Sequence, residues 1–177
     1  MNPTPPSPTR VLSLDEVKGL LPHRGGILFV REVELLPGPA CRAEVSWAAD
    51  AMGLAGHFPG CPLVPGVYLI EAAAQAAGAA LLASQRSQDP SADPGLGVLA
   101  GTRACSFRRP VRPGDSLRYE LRLRLLGAQL VQVTGTGHVG GELAVQIDLL
   151  LAQASAASLR QWLPSLQLPA TALAVAD

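Results

Sequence analysis

His57 stands in a loop stiffened by Pro59, Pro62 and Pro65 and punctuated by Gly60 and Gly66, and Glu71 follows fourteen residues later inside a run rich in alanine and leucine. Prolines fix φ and glycines admit unusual φ, so this loop holds its imidazole in place. An imidazole that accepts a proton and a carboxyl that donates one are the two halves of general acid–base chemistry. A carboxylate on an apolar helix is costly to ionise when buried, which predicts a raised pKa and a protonated Glu71 near neutrality. Each residue alone has a plainer alternative. Glu71 and Gln75, four apart and so on one helix face, would make a thin solvent-facing stripe, and His57 would be a loop histidine bonded to backbone.

These side chains need a frame. Pro65 suits the first turn of a helix, and the stretch from Val67 to Leu82 has strong helix composition with no internal proline. The pattern predicts a helix from about Pro65 to Ser84, roughly 30 Å long at 1.5 Å per residue. Upstream, Ser13-Leu14-Asp15-Glu16 reads as a capping box opening a short helix that ends before Pro22. Ile27 to Leu36 and Cys41 to Ala48 read as strands joined at Pro37-Gly38-Pro39. A polar loop follows the long helix from about Gln85 to Pro94, and Leu96 to Arg108 is the next strand candidate. Leu117, Tyr119, Leu121, Leu123 and Leu125 alternate with Arg118, Glu120, Arg122 and Arg124, the signature of a half-buried strand with one wet face. Val131 to Thr136 and Leu143 to Leu151 continue the period across Gly140-Gly141. One long helix ahead of several antiparallel strands predicts an α+β fold with the sheet wrapped around that helix.

The stretch His57-Phe58-Pro59-Gly60, with Pro62, Pro65, Gly66, Glu71 and Gln75, closely resembles the active-site signature of the (3R)-hydroxyacyl-acyl carrier protein dehydratases, which have the hot-dog fold. Leu21-Pro22-His23-Arg24 and Phe107-Arg108-Arg109-Pro110-Val111 with Pro113-Gly114-Asp115 agree in order and spacing. The resemblance implies a hydro-lyase that turns (3R)-hydroxyacyl thioesters into trans-2-enoyl thioesters, in fatty acid synthesis or a related polyene or polyketide route. It makes His57 the base for the α-proton and Glu71 the acid for the departing hydroxyl. It places Phe58, Pro65, Gly66, Val67 and Gln75 at the substrate, with backbone N–H groups near Gly66 and Val67 meeting the enolate oxygen. Gln75 is either a support for the site or an ordinary helix-face amide.

The implied partner is an acyl carrier protein with its phosphopantetheine arm, and no metal or organic cofactor is required. The implied catalytic unit is a homodimer that shares His57 and Glu71 across its interface, with a trimer of dimers left open. Arg103, Arg108 and Arg109, with Arg112 close by, read either as a basic docking edge for the acidic carrier or as a solvated strand face. His23 and Arg24 are expected to shape the fold rather than react, and His138 to be a surface turn residue. Dehydratases that also isomerise the double bond usually carry Asp where Glu71 stands. Hot-dog thioesterases generally lack the His-Phe-Pro-Gly loop, and a non-catalytic partner subunit would not need both reactive residues. Two departures, Gly25-Gly26 in place of an aromatic and proline and Arg31-Glu32 in place of Asp-Arg, bear on tunnel shape, carrier docking and hence chain length.

Composition narrows the rest. With 177 residues, 48% of them hydrophobic, the chain can build one substantial core, and its balance of 14 basic and 14 acidic residues argues against a general nucleic-acid binder. The domain reading is a disordered leader over residues 1–12, a dehydratase domain over 13–153 and an extension of open role over 154–177, either a small docking helix around Leu159 to Leu163 or disorder. The proline-rich start has no apolar signal core. The longest apolar run contains Glu71 and Gln75, which argues against a membrane span. Cys41, Cys61 and Cys105 are odd in number and lack metal-ligand spacing, as in a reduced cytoplasmic setting; Cys61 reads as a small filler of the loop.

Overall fold

The computed structural model describes residues 9–51, 53–89, 95–155, 158, 159 and 161. Strand β1 (Arg10–Leu12) leads to helix α1 (Leu14–Leu20), strands β2 (Val33–Leu36) and β3 (Ala40–Val45), the long helix α2 (Gly66–Gln88), and strands β4 (Leu96–Phe107), β5 (Leu117–Leu125), β6 (Leu130–Val139) and β7 (Glu142–Ala154). The seven strands form one antiparallel sheet in the order β1-β2-β3-β5-β6-β7-β4. Helix α2 packs on β2, β3, β4, β5 and β7, so the sheet curls around it as the α+β reading predicts.

The small side chains of α2 make this wrapping possible. Leu69, Ala72, Ala73, Ala76, Ala77, Ala79, Ala80, Leu82 and Ala83 are buried, and alanines allow the concave sheet face to approach the helix backbone closely. Facing them are Val33, Cys41, Ala43, Leu117, Tyr119, Leu121, Val145 and Leu149 in the same core. Deep in this layer the Tyr119 hydroxyl donates to the Leu69 carbonyl at 2.7 Å, and burial pushes the phenol pKa up. The Cys41 thiol, buried beside the Ala76 carbonyl, is likewise pushed up to about 12. Cys41, Cys61 and Cys105 are all free thiols.

Several sequence expectations hold in detail. The Ser13 capping box forms at α1, with Glu16 accepting from the Ser13 N–H at 2.8 Å. Strand β5 spans Leu117–Leu125 and buries its odd-numbered side chains up to Leu123; Leu125, at the end, is exposed. The outer face carries ion pairs such as Arg42 with Glu120 and Arg118 with Glu44.

Others are corrected. Arg10–Leu12, assigned to the leader, pairs with Val33–Leu35 and buries Leu12, so order begins before residue 13. Residues 1–8 lie outside the described residues, as do 162–177 of the extension. Ile27 to Leu36 is not one strand. A 3-10 turn occupies Gly25–Ile27, and the N–H groups of Phe29 and Val30 are taken by the Gln75 side chain instead of a neighbouring strand. Helix α2 runs four residues past Ser84, where Arg86 donates to the Gly19 carbonyl of α1 and Gln85 accepts from Gln153. It stops at Asp89, extended ahead of Pro90, because the residue before a proline disfavours helical backbone. Cys41 to Ala48 pairs only as far as Val45, β4 ends at Phe107, and β6 and β7 are longer than their apolar cores. His138 belongs to β6, paired with Arg118 and Leu143, and not to a turn.

Candidate active site

The loop ahead of α2 is built to hold one imidazole. Phe58 and Cys61 exchange backbone hydrogen bonds at 3.2 and 3.0 Å around Pro59 and Gly60, with Gly60 at φ 78°. Proline followed by a residue of positive φ is the type II turn pattern, which only glycine enters without strain. The His57–Phe58 peptide is cis. Leu63 then clamps His57 twice: its N–H donates to the His57 carbonyl at 2.7 Å, and its carbonyl meets the ring Nδ1 at 3.2 Å. A carbonyl can only accept, so Nδ1 carries the proton and Nε2 of the neutral ring keeps a lone pair. Phe58 stacks on the imidazole with ring centroids 4.3 Å apart and is itself exposed.

Val64 ties the loop's far end to Val111 at 2.8 Å, and Pro65 occupies the N-cap of α2. The first N–H groups of a helix have no intrahelical acceptor, so Gly66 and Val67 present donors at the positive end of the helix dipole. A side chain at Gly66 would sit 2.7 Å from Cζ of Phe107, so glycine is what lets that ring lie over the helix start.

Glu71 lies in the second turn of α2, half-buried, and its surroundings differ from expectation. Its Oε1 lies 3.2 Å from Nε2 of His23 and accepts from Nε2 of Gln75 at 2.8 Å. The hydrogen bond from His23 holds the carboxyl below its ordinary value, with burial working in the opposite direction and Gln75 reinforcing the lowering. The predicted rise is therefore corrected: desolvation is present, but two donors outweigh it. The solvent-stripe alternative also falls, since Gln75 is only 2% exposed. Gln75 accepts from Phe29 N at 2.9 Å and donates to Ile27 O at 2.7 Å, which makes it a bolt between α2 and the 27–30 segment.

His23 rides on the loop after α1, fixed by Arg24, whose guanidinium donates to the carbonyls of Lys18, Leu21 and His23 at 2.7 to 2.9 Å. Sequence reasoning gave His23 a role in the fold only; a second histidine within the Leu-Pro-His-Arg segment was the one available signal. The structure thus forms two clusters, His57 with Phe58 and Leu63, and Glu71 with Gln75 and His23. Among the described residues of one chain, no hydrogen bond or ion pair joins His57 to Glu71. No group of three or more His, Cys, Asp or Glu suited to a metal occurs among the described residues.

The three arginines differ. Arg109 is bound to Glu142 at 2.7 Å and approaches Asp115 at 4.0 Å, and Arg103 lies 3.8 Å from Asp148. Arg108 is exposed and donates to the neutral amide of Gln146 at 3.0 Å.

Comparison with known proteins converges on one family. Residues 21–148 match the model of the FabA-like domain. The chain is 36% identical over 137 residues to the 3-hydroxyacyl-[acyl-carrier-protein] dehydratase FabZ of Nitratidesulfovibrio vulgaris, covering 77% of this chain and 87% of that one. It is 39% identical over 140 residues to the dehydratase of the same name from Natranaerobius thermophilus, covering 78% and 95%. In fold it is similar to a chain of the dehydratase heterocomplex ApeI:P from Xenorhabdus doucetiae, with a TM-score of 0.67, 24% identity and coverage of 83% and 96%. With motif, wrapped sheet and relatives in agreement over most of its length, the chain belongs to the FabA-like family of 3-hydroxyacyl-acyl-carrier-protein dehydratases.

Proposed function

We propose that His57 and Glu71 are the base and acid of the dehydration, and that each site takes its His57 from one subunit and its Glu71 from another. The chain is a 3-hydroxyacyl-acyl-carrier-protein dehydratase of fatty acid biosynthesis. In the forward direction Nε2 of His57 removes a proton from the carbon beside the thioester carbonyl. The enolate oxygen is met by the N–H groups of Gly66 and Val67. Electron density then returns to form the double bond, the C3–O bond breaks, and Glu71 gives its proton to the leaving hydroxyl, which departs as water. The proton count closes without a cofactor: one proton arrives on His57 and one leaves Glu71. Because burial alone raises the Glu71 pKa, covering the carboxylate with substrate favours its protonated form.

The observation that carries this reading is the clamp on His57, whose Nδ1 contact with Leu63 supports a tautomer with its lone pair on Nε2, as a base there needs. Phe58, exposed beside the imidazole, and Pro65, which sets the start of α2, are assigned to the substrate channel with Gly66 and Val67; Gln75 supports Glu71 from behind. For the carrier protein and its phosphopantetheine arm, Arg108 is the strongest of the three docking candidates because its nearest side-chain partner is neutral. Arg103 joins it, and Arg109 contributes mainly by bracing the loop through Glu142.

A homodimer is supported by β4, which closes the sheet order with an open edge and exposes Val98, Leu99 and Phe107. Long apolar edges are templates for strand pairing with another chain. A cytoplasmic setting fits the burial of α2: it is apolar and long enough to cross a membrane, yet 61% of its most apolar window is buried within this fold.

The test is hydration of trans-2-enoyl thioesters, the reverse reaction, followed by loss of enoyl absorbance on carrier-protein and coenzyme A forms. His57→Ala and Glu71→Gln are each expected to lose at least about 100-fold in kcat, the usual contribution of a positioned acid or base. A folded wild type that hydrates none of these substrates contradicts the reading.

A further inference from the structure

We propose that His23 is a positioning residue of the acid–base site: it fixes the Glu71 carboxylate by Oε1 and so leaves Oε2 as the oxygen that exchanges the proton. The proposal rests on the catalytic reading of Glu71 and adds a residue to it. Two donors converge on one oxygen, His23 Nε2 at 3.2 Å and Gln75 Nε2 at 2.8 Å, while Oε2 has no protein partner among the described residues. A carboxylate pinned at one oxygen has its other lone pairs aimed in one direction, and misplacement of a reacting group by about 1 Å can cost on the order of 100-fold in rate.

His23 is unusual in its other nitrogen. Nδ1 is buried and has no hydrogen-bond partner among the described residues, where the ring's one polar side-chain contact is with Glu71. Buried polar atoms are nearly always paired, and an exception calls for a reason. The backbone under the ring is rigid, since Arg24 spends its guanidinium on the carbonyls of Lys18, Leu21 and His23. Gln75 is equally fixed by Ile27 and Phe29. The groups around the carboxylate are few: Gln75 one turn on and Tyr68 one turn back along α2, and His23 from the loop after α1. Of these, His23 gives the largest lowering of the Glu71 pKa, through its hydrogen bond to the carboxylate.

Loss of the donor therefore moves two observables together. Hydration needs Glu71 ionised, so the acid limb of its pH–rate profile reports the Glu71 carboxyl. In His23→Leu and His23→Phe, which remove the donor while filling the space, that limb is expected to move to higher pH, with kcat falling about 10- to 100-fold and KM changing far less. His23→Gln, which restores an N–H donor without a ring, is expected to return the limb and most of kcat. In parallel, carbon-13 NMR of labelled glutamate, with the Glu71 signal assigned from Glu71→Gln, reads the titration without any turnover. An unmoved Glu71 titration and acid limb in folded His23→Leu or His23→Phe overturn the positioning role. A wild type without hydration activity whose Glu71 titration still depends on His23 would instead strike the catalytic reading.

Discussion

At the scale of single residues, hydrogen bonds hold the proposed base and acid and leave one atom of each uncommitted among the described residues. Leu63 occupies Nδ1 of His57, and Gln75 and His23 occupy Oε1 of Glu71. His57 and Glu71 stand out as candidates from residue type and spacing, because proline, glycine and an isolated carboxylate leave a local mark. The state of Glu71 was not legible. Its pKa depends on His23, which reaches it only when the loop after α1 docks on α2, and no local pattern reports a contact between segments so far apart. Since its folded pKa lies below the unfolded value, Glu71 contributes stability that is present above the unfolded carboxylate range and is lost as pH falls through the folded value. The margin of the wild type over Glu71→Gln in thermal unfolding is thus expected to shrink between neutral pH and about pH 4; a constant margin would contradict the bonded carboxylate. Gln75→Leu strands the buried N–H of Phe29 and the carbonyl of Ile27. A loss of about 2 to 4 kcal/mol in urea unfolding is expected, two unsatisfied groups at 1–3 kcal/mol each with partial relaxation.

At the scale of elements, the alanine-rich face of α2 and the alternating β5 were plain in the sequence because burial there follows strict helical and strand periods. The segment from Ile27 to Leu36 was misread because its apolar residues satisfy a strand pattern while a distant amide takes the backbone donors. Glycine spacing in β6 carries a constraint that periodicity hides. A Cβ at Gly135 would lie 2.1 Å from the Glu120 carbonyl oxygen, and one at Gly137 2.8 Å from Val145 Cγ1. The first obstacle is backbone of the adjacent β5, which cannot swing aside. Gly135→Ala is expected to cost about 3 kcal/mol or more, at the upper end of overpacking effects. A midpoint of denaturation equal to wild type would show that β5 and β6 separate there at little cost.

At the scale of the whole molecule, the unpaired β4 edge joins architecture to chemistry. It borders Gly66 through Phe107, so the edge proposed to pair with a second subunit lies beside the start of α2. Leu99→Asp, which places a charge on that edge, is expected to shift the protein to a folded monomer by size-exclusion chromatography with light scattering and to remove hydration activity together with the dimer. A monomer that keeps wild-type kcat would show that one chain suffices. The most direct test of a site shared between subunits is complementation. His57→Ala and Glu71→Gln chains, each inactive alone, are co-refolded in equal amounts and assayed for enoyl hydration. In a shared site, each mixed dimer regains one intact pairing of His57 and Glu71, and random mixing is expected to restore about one quarter of wild-type activity. If both residues of a site came from the same chain, no mixed dimer would hold an intact pair, and activity remaining at the level of the separate variants, with mixed dimers present, would contradict the account.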